Sequence, residues 1–329
     1  MKFVFGGTGM LGRALVRELM HDVMVDAFKT RRKSHQETSS SSTVIAISSK
    51  DVDLTDQARV REFFRSRAKI GPSDEVYHCA GLVGGIGANR SRQMDFLVQN
   101  SQMALNVIST AVDFGVERLY YVSSSCVYPR QSAGSAPMIE DEIGRGAFEP
   151  TNEGYAIAKF LGGKLCEYAT EKNPGARYLT VVPCNLYGDG DNFTEGGHVL
   201  ASIVRRVVDA RRFGSKSVTL WGDGTPRREF LHVRDAAAAI NHVASKWSSD
   251  RLSTINVGSD EDYTIREIAE LVARVAEWDG KFEFDDSMPN GTPKKLMDSS
   301  AIRSTGWKPT IDLERGVRML VNEYERVAK

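Results

Sequence analysis

Apolar and polar positions along the first half of the chain follow a repeating order: a short apolar run, then a longer stretch with apolar residues every three or four positions. Short runs bounded by turn residues read as buried strands, and the longer stretches as helices laid over them. The predicted strands are residues 2–5, 44–47, 75–78, 118–122 and 179–183, and the predicted helices 10–20, 57–67, 95–114 and 155–170. This alternation predicts an α/β fold, a doubly wound parallel sheet of the Rossmann type.

Residues 29–43 break the rhythm. They are basic, then serine-rich, with no apolar period, and read as a surface insertion. Beyond Tyr187 the pattern changes to loops, a helix over 198–212, short strands such as 218–220, a helix over 264–276 and a last helix near the C-terminus. We therefore expect residues 1–185 to form the sheet domain, with some later segments returning to it, and 186–329 to form mainly a smaller substrate-binding domain. No internal repeat is visible.

Composition mostly excludes. With 329 residues the chain can bury a large core. Its 43 basic and 43 acidic residues cancel, which argues against a nucleic-acid partner. No run approaches the roughly 18 apolar residues of a membrane span, and the opening strand lacks the basic start of a secretory signal. Cys79, Cys126, Cys166 and Cys184 are scattered without metal-ligand spacing. They predict reduced thiols in a cytoplasmic protein and no metal site.

Chemistry enters at Gly6-Gly7-Thr8-Gly9-Met10-Leu11-Gly12, between the first strand and the first helix. A glycine pattern alone marks only a tight turn. In this context it predicts a dinucleotide cradle built from Gly6, Thr8, Gly9, Met10, Leu11 and Gly12, with the phosphates at a helix N-terminus. The second strand ends Ser48-Ser49-Lys50, where an NAD site would carry an acid. NADP(H) is therefore the expected cofactor, with Ser49 and Lys50 at the ribose phosphate and Asp53 and Leu54 beside the adenine. A competing alignment assigns the phosphate to Arg31 or Arg32.

Tyr155 and Lys159 are four apart on one predicted helix and so share a face. A lysine there is expected to lower the phenol pKa from about 10. The cluster Ser123-Ser124-Ser125 ends a strand upstream and supplies a hydroxyl for a substrate carbonyl. Tyr-x-x-x-Lys by itself is more often a surface pair; the serines and the glycine loop together point to a ketone reductase.

With these motifs the chain resembles the extended short-chain dehydrogenase/reductases, and closely their GDP-L-fucose synthase branch, which epimerises and reduces GDP-4-keto-6-deoxymannose. The resemblance runs from Gly6 to about Trp307. It is most specific at Val83-Gly84-Gly85-Ile86, Ser124-Ser125-Cys126-Val127-Tyr128-Pro129, Glu149-Pro150-Thr151-Asn152-Glu153, Asn185-Leu186-Tyr187-Gly188, Asp191-Asn192-Phe193, and Trp221-Gly222 with Arg228-Glu229-Phe230-Leu231-His232. It implies Ser124 as the triad serine, with Ser125 adjacent, and Cys126 and His198 as the acid/base pair at carbons 3 and 5. A cysteine and a histidine titrate close enough to neutrality for that task. As a packed thiol and a helix-start residue, the two would need no catalytic explanation.

By the same resemblance Ala80, Gly81, Lys159, Pro183, Asn185, Leu186 and His198 contact the cofactor. Ser125, Asn185, Arg206, Trp221, Arg228, Asn290 and Lys295 contact a GDP-linked keto-deoxy sugar, with Arg205 an alternative to Arg206. It also implies a homodimer through the helices 95–114 and 155–170. Related dehydratases carry an acidic residue just after the serines, and residues 123–129 hold none. Three positions depart from the branch: Asn290 for Asp, Gly154 for Pro and Cys184 for Thr. Asn290 leaves open another nucleotide sugar, an NAD-dependent 4-epimerase being one alternative. A non-catalytic cofactor-binding protein is a further reading, opposed by the intact serine, tyrosine and lysine.

Overall fold

A computed structural model describes residues 1–33, 43–246, 253–288 and 290–328. Its first half runs β1 (Lys2–Phe5), α1 (Met10–Lys33), β2 (Val44–Ile47), α2 (Gln57–Glu62), β3 (Glu75–His78), α3 (Ile86–Ser91), α4 (Gln93–Asp113), β4 (Arg118–Val122), α5 (Glu153–Lys172) and β5 (Arg177–Pro183). The second half runs β6 (Asn185–Tyr187), α6 (Val199–Phe213), β7 (Ser217–Trp221), β8 (Arg227–His232), α7 (Val233–Lys246), β9 (Thr254–Val257), β10 (Asp262–Thr264), α8 (Ile265–Val275), β11 (Lys281–Asp285), β12 (Lys294–Lys295), α9 (Ser300–Arg303) and α10 (Leu313–Val327).

The main sheet is parallel throughout, in the order β2-β1-β3-β4-β5-β9. Side chains of a strand alternate between faces, and both faces here are buried. Val4, Tyr77, Tyr120 and Val122 meet α1 and α7 through Leu15, Leu19, Ala236 and Ile240. Phe3, Phe5, Leu119 and Tyr121 meet the other layer through Phe64, Val107, Ile108 and Cys166. Continuous apolar runs are what two-sided burial demands.

From β1 the chain moves to β2 on one side, then crosses to β3 on the other. The loops after β1 and β3 therefore diverge, leaving a crevice at the carboxyl ends of the strands. A smaller unit covers this end. In it β8 lies between β10 and β12 and also pairs with β6, while α6, α8 and α10 share an apolar core through Val204, Val207, Ile268, Val272 and Leu320. Glu229 of β8 is buried and accepts from Ser259 N at 2.7 Å, Asp260 N at 2.9 Å and Met297 N at 3.0 Å. Burial nevertheless raises its carboxyl to about 7. Among the described residues no helix is long and apolar enough to cross a membrane.

Two expectations need correction. The insertion at 29–43 begins as helix, because α1 continues to Lys33; residues 34–42 and the side chains of Arg31 and Arg32 lie outside the described residues. The helix expected over 57–67 is α-helical only to Glu62 and then widens into a π-helical turn, Phe63–Arg67. There Phe63 and Phe64 are both buried, and Phe64 stacks on Phe5 at 5.7 Å.

Candidate active site

The glycine loop leaves β1 with Gly6 at a positive φ of 78°. A Cβ on Gly12 would fall on the carbonyl oxygen of Gly6, so only glycine lets α1 start this close to the loop. Gly6, Gly9, Met10, Leu11 and Gly12 line a cleft of about 490 Å³, and Thr8 is exposed beside them. The amides opening α1 suit a pyrophosphate. Gly81 lines the opposite wall, with Ala80 half-buried behind it. Ser49 and Lys50 lie exposed past the end of β2, outside the cleft. The Asp53 carboxylate is held by Thr55, from N at 2.9 Å and Oγ1 at 2.7 Å. Leu54 is buried, its carbonyl accepting from Asn106 at 2.9 Å.

Ser124, Tyr155 and Lys159 converge on the cleft from the end of β4 and the first turns of α5. Lys159 is buried and donates to Val122 O at 2.9 Å, its Nζ 5.8 Å from the centre of the Tyr155 ring. Burial lowers its ammonium to about 8, opposed by nearby Cys79. The expected depression of the Tyr155 phenol does not dominate. Burial raises it, the neighbouring Cys126 adds to the rise, and a hydrogen bond with Ser124 opposes both. A phenol so held keeps its proton at neutral pH, which suits an acid.

Cys126 follows on a single 3-10 turn capped by Ser124, whose Oγ accepts from Cys126 N at 3.3 Å. Asn152 Nδ2 donates to its sulfur at 3.0 Å and Lys295 Nζ at 3.4 Å. The two donors fix the sulfur at the wall of the cleft. His198 caps the N-terminus of α6 with an extended backbone. The turn before it closes so tightly that a Cβ on Gly197 would land on Asn192 O. His198 Nδ1 lies 3.5 Å from Asp191 Oδ1, and the ring lines the cleft.

Arg206, Trp221, Arg228, Asn290, Lys295, Pro183, Asn185, Leu186 and Ser125 line the same cleft. Arg206 donates to Thr219 O at 2.7 Å, and Asn185 to Glu229 O at 2.7 Å. Trp221 is exposed opposite Gly87. Burial lowers the Arg228 guanidinium to about 10, against the pull of Cys126 and Glu149. Asn290 Oδ1 accepts from Asp223 N at 3.0 Å, and its amide also bonds the Asp223 carboxylate. An Asp at 290 would face that carboxylate, so the departure has a local electrostatic reason.

Four further contacts are absent from the sequence expectations. Asn152 holds Cys126, and Asp191 faces His198. Glu149 accepts from Thr292 at 3.0 Å and pairs with Arg130 at 3.2 Å. Asn152 and Glu149 stand in a recognisable motif, but no spacing rule links them to partners this far along the chain.

Residues 3–258 match the NAD dependent epimerase/dehydratase family. The chain is 39% identical over 323 residues to the GDP-L-fucose synthase of Escherichia coli K12, covering 96% of this chain and 93% of that protein. It is 36% identical over 274 residues to the GDP-L-colitose synthase of Yersinia pseudotuberculosis, covering 83% and 87%. The NADP-bound structure of a GDP-L-fucose synthetase from Naegleria fowleri superposes with a TM-score of 0.81 at 26% identity, over 99% of this chain and 94% of that one. With its doubly wound sheet, its glycine loop and this full-length likeness, the chain belongs to the NAD dependent epimerase/dehydratase family, on the branch of the GDP-L-fucose synthases.

Proposed function

We propose that this protein is a GDP-L-fucose synthase, inverting carbons 3 and 5 of GDP-4-keto-6-deoxy-D-mannose and reducing carbon 4 with NADPH. The observation that carries this reading is one cleft holding both a reductase set, Ser124, Tyr155 and Lys159, and an acid/base set, Cys126 and His198. Both carbons flank the carbonyl at carbon 4, so each proton leaves to an enolate. Cys126 and His198 take and return those protons, while Ser124 holds the carbonyl oxygen.

Bound NADPH supplies the hydride for carbon 4. Tyr155, kept protonated by burial, gives its proton to the oxygen. The Gly6–Gly12 loop and the opening amides of α1 would hold the cofactor's phosphates, and exposed Lys50 its ribose phosphate. Arg228 and Lys295 suit the diphosphate and sugar, and Trp221 offers a face to the base. Asn290, held by Asp223 N at 3.0 Å, lines the sugar end of this cleft.

The exposed residues Met94, Val98 and Leu105 share one stripe of α4, and Ile157 and Tyr168 one stripe of α5. A second copy covering these stripes gives a two-fold dimer. Four free cysteines fit a reducing cytosol.

The test is product analysis by NMR after reaction with NADPH in deuterated water. Deuterium at carbons 3 and 5 is expected; reduction without it refutes the epimerase half. Cys126→Ser should slow the exchange by at least about 100-fold while leaving NADPH affinity unchanged.

A further inference from the structure

We infer that Asp191 is the positioning residue of His198: it fixes the imidazole tautomer so that Nε2 faces the sugar as the proton-transferring atom. The inference rests on the reading that His198 moves a proton at the substrate. It starts from two buried polar atoms left over by the rest of the structure. Among the described residues, His198 Nδ1 has no hydrogen-bond partner, and neither has Asp191 Oδ2. The Asp191 side chain is 2% exposed, and its Oδ1 sits 3.5 Å from that same Nδ1. Among the described residues Oδ1 otherwise accepts only from the backbone of Asn192, at 2.7 Å.

A buried carboxylate with a single donor is under-satisfied, and a buried ring nitrogen without a partner is costly. A proton on Nδ1 directed at Oδ1 satisfies the ring nitrogen and gives the carboxylate a second donor. The separation exceeds a formed hydrogen bond of about 2.9 Å by about 0.6 Å, a gap that rotation of the ring and carboxylate can close. With Nδ1–H turned to Asp191, the other nitrogen is left as an acceptor on the exposed side of a ring that is 41% exposed.

The carboxylate is well placed to impose this order because its loop is tied down from several elements. Gly190 N donates to Glu323 of α10 at 2.8 Å, and Arg13 of α1 donates to Gly190 O at 3.2 Å. Arg234 of α7 donates to Asp189 at 2.7 Å. On the other side Ser202 N donates to His198 O at 2.9 Å, closing the first turn of α6. Both partners therefore sit on fixed backbone.

Two measurements on the full-length protein test the inference. The first needs no variant: 15N NMR of histidine-labelled protein should show His198 in a single neutral tautomer protonated at Nδ1. A mixture, or the Nε2–H form, overturns the inference. The second compares Asp191→Asn, Asp191→Ala and Asp191→Glu. The Asn and Ala proteins should lose roughly 100-fold in deuterium exchange at the sugar. Their reduction of an already epimerised keto sugar should fall far less than the exchange, which separates a lost proton transfer from a collapsed cleft. The Glu protein should recover part of the exchange. Wild-type exchange in Asp191→Asn, with an unchanged His198 spectrum, overturns the positioning role. No exchange in the wild-type protein instead overturns the epimerase reading, and the tautomer measurement still decides the contact.

Discussion

Lys159 shows how one buried charge sets opposing demands. Its ammonium is held down to about 8 by burial, so it is charged below that pH and neutral above it. The NADPH-dependent reduction rate should therefore fall above pH 8, by about tenfold at pH 9, in a profile measured from pH 6 to 10. The lysine's own contribution to stability should move the other way. Between pH 8 and 10.5 the unfolded chain binds a proton at this lysine that the folded chain does not, so the Lys159 contribution rises by up to about 3 kcal/mol. Set against it are buried thiols and phenols such as Cys79, Cys166 and Tyr120, whose raised values weaken the fold over the same range. Denaturant unfolding of the wild type and of Lys159→Met at pH 8 and 10 checks this: the stability difference between the two should shift toward the wild type as pH rises. The Tyr155–Lys159 pair was legible in the sequence because four residues along a helix fix a shared face. The direction of the Tyr155 shift was not, because burial depends on the whole fold. Asp191 was likewise hidden, since its relation to His198 depends on a turn that closes through Gly197.

At the scale of elements, α5 enters the site against α4, and Gly154 marks where they touch. A Cβ there would stand 2.5 Å from Gln93 O, and Gly154 N donates to Gln93 Oε1 at 2.9 Å. Gln93 also donates to Pro150 O at 2.8 Å. Proline is tolerated by a helix's first turn, yet here it would lose a hydrogen bond and collide with α4. Gly154→Pro, although it restores the residue common in the branch, should destabilise the protein by about 2 kcal/mol in urea unfolding. It should also lower the reduction rate by displacing Tyr155. The strands β1, β2, β3 and β4 have the bounds their apolar runs predict, because two-sided burial writes itself into consecutive residues. Pairs such as β6 with β8 and β8 with β12 are short and distant in sequence, so no local pattern announces them. Helix ends were less legible too: α5 begins at Glu153, since turn geometry rather than apolar period decides where it starts.

At the scale of the whole molecule, the exposed stripes of α4 and α5 leave the cleft free, since none of Met94, Val98, Leu105, Ile157 and Tyr168 lines it. Sedimentation velocity should give twice the mass of one chain, and Val98→Asp combined with Ile157→Asp should give single chains. These should retain the cleft's NADPH affinity, because neither residue lines it. The smaller unit is not a bead on a string. The chain leaves the main sheet after β5, returns with α7 and β9, leaves again for β10 and α8, and comes back through Met297, Ile302 and Trp307 before α10. Glu229 knots three of these crossings together through its backbone donors. A molecule stitched in this way has no lone pivot about which its halves can swing. Substrate entry must then be served by loop movement and slight sliding of packed surfaces. The same stitching predicts that the two units melt together, so calorimetry should show one transition rather than two.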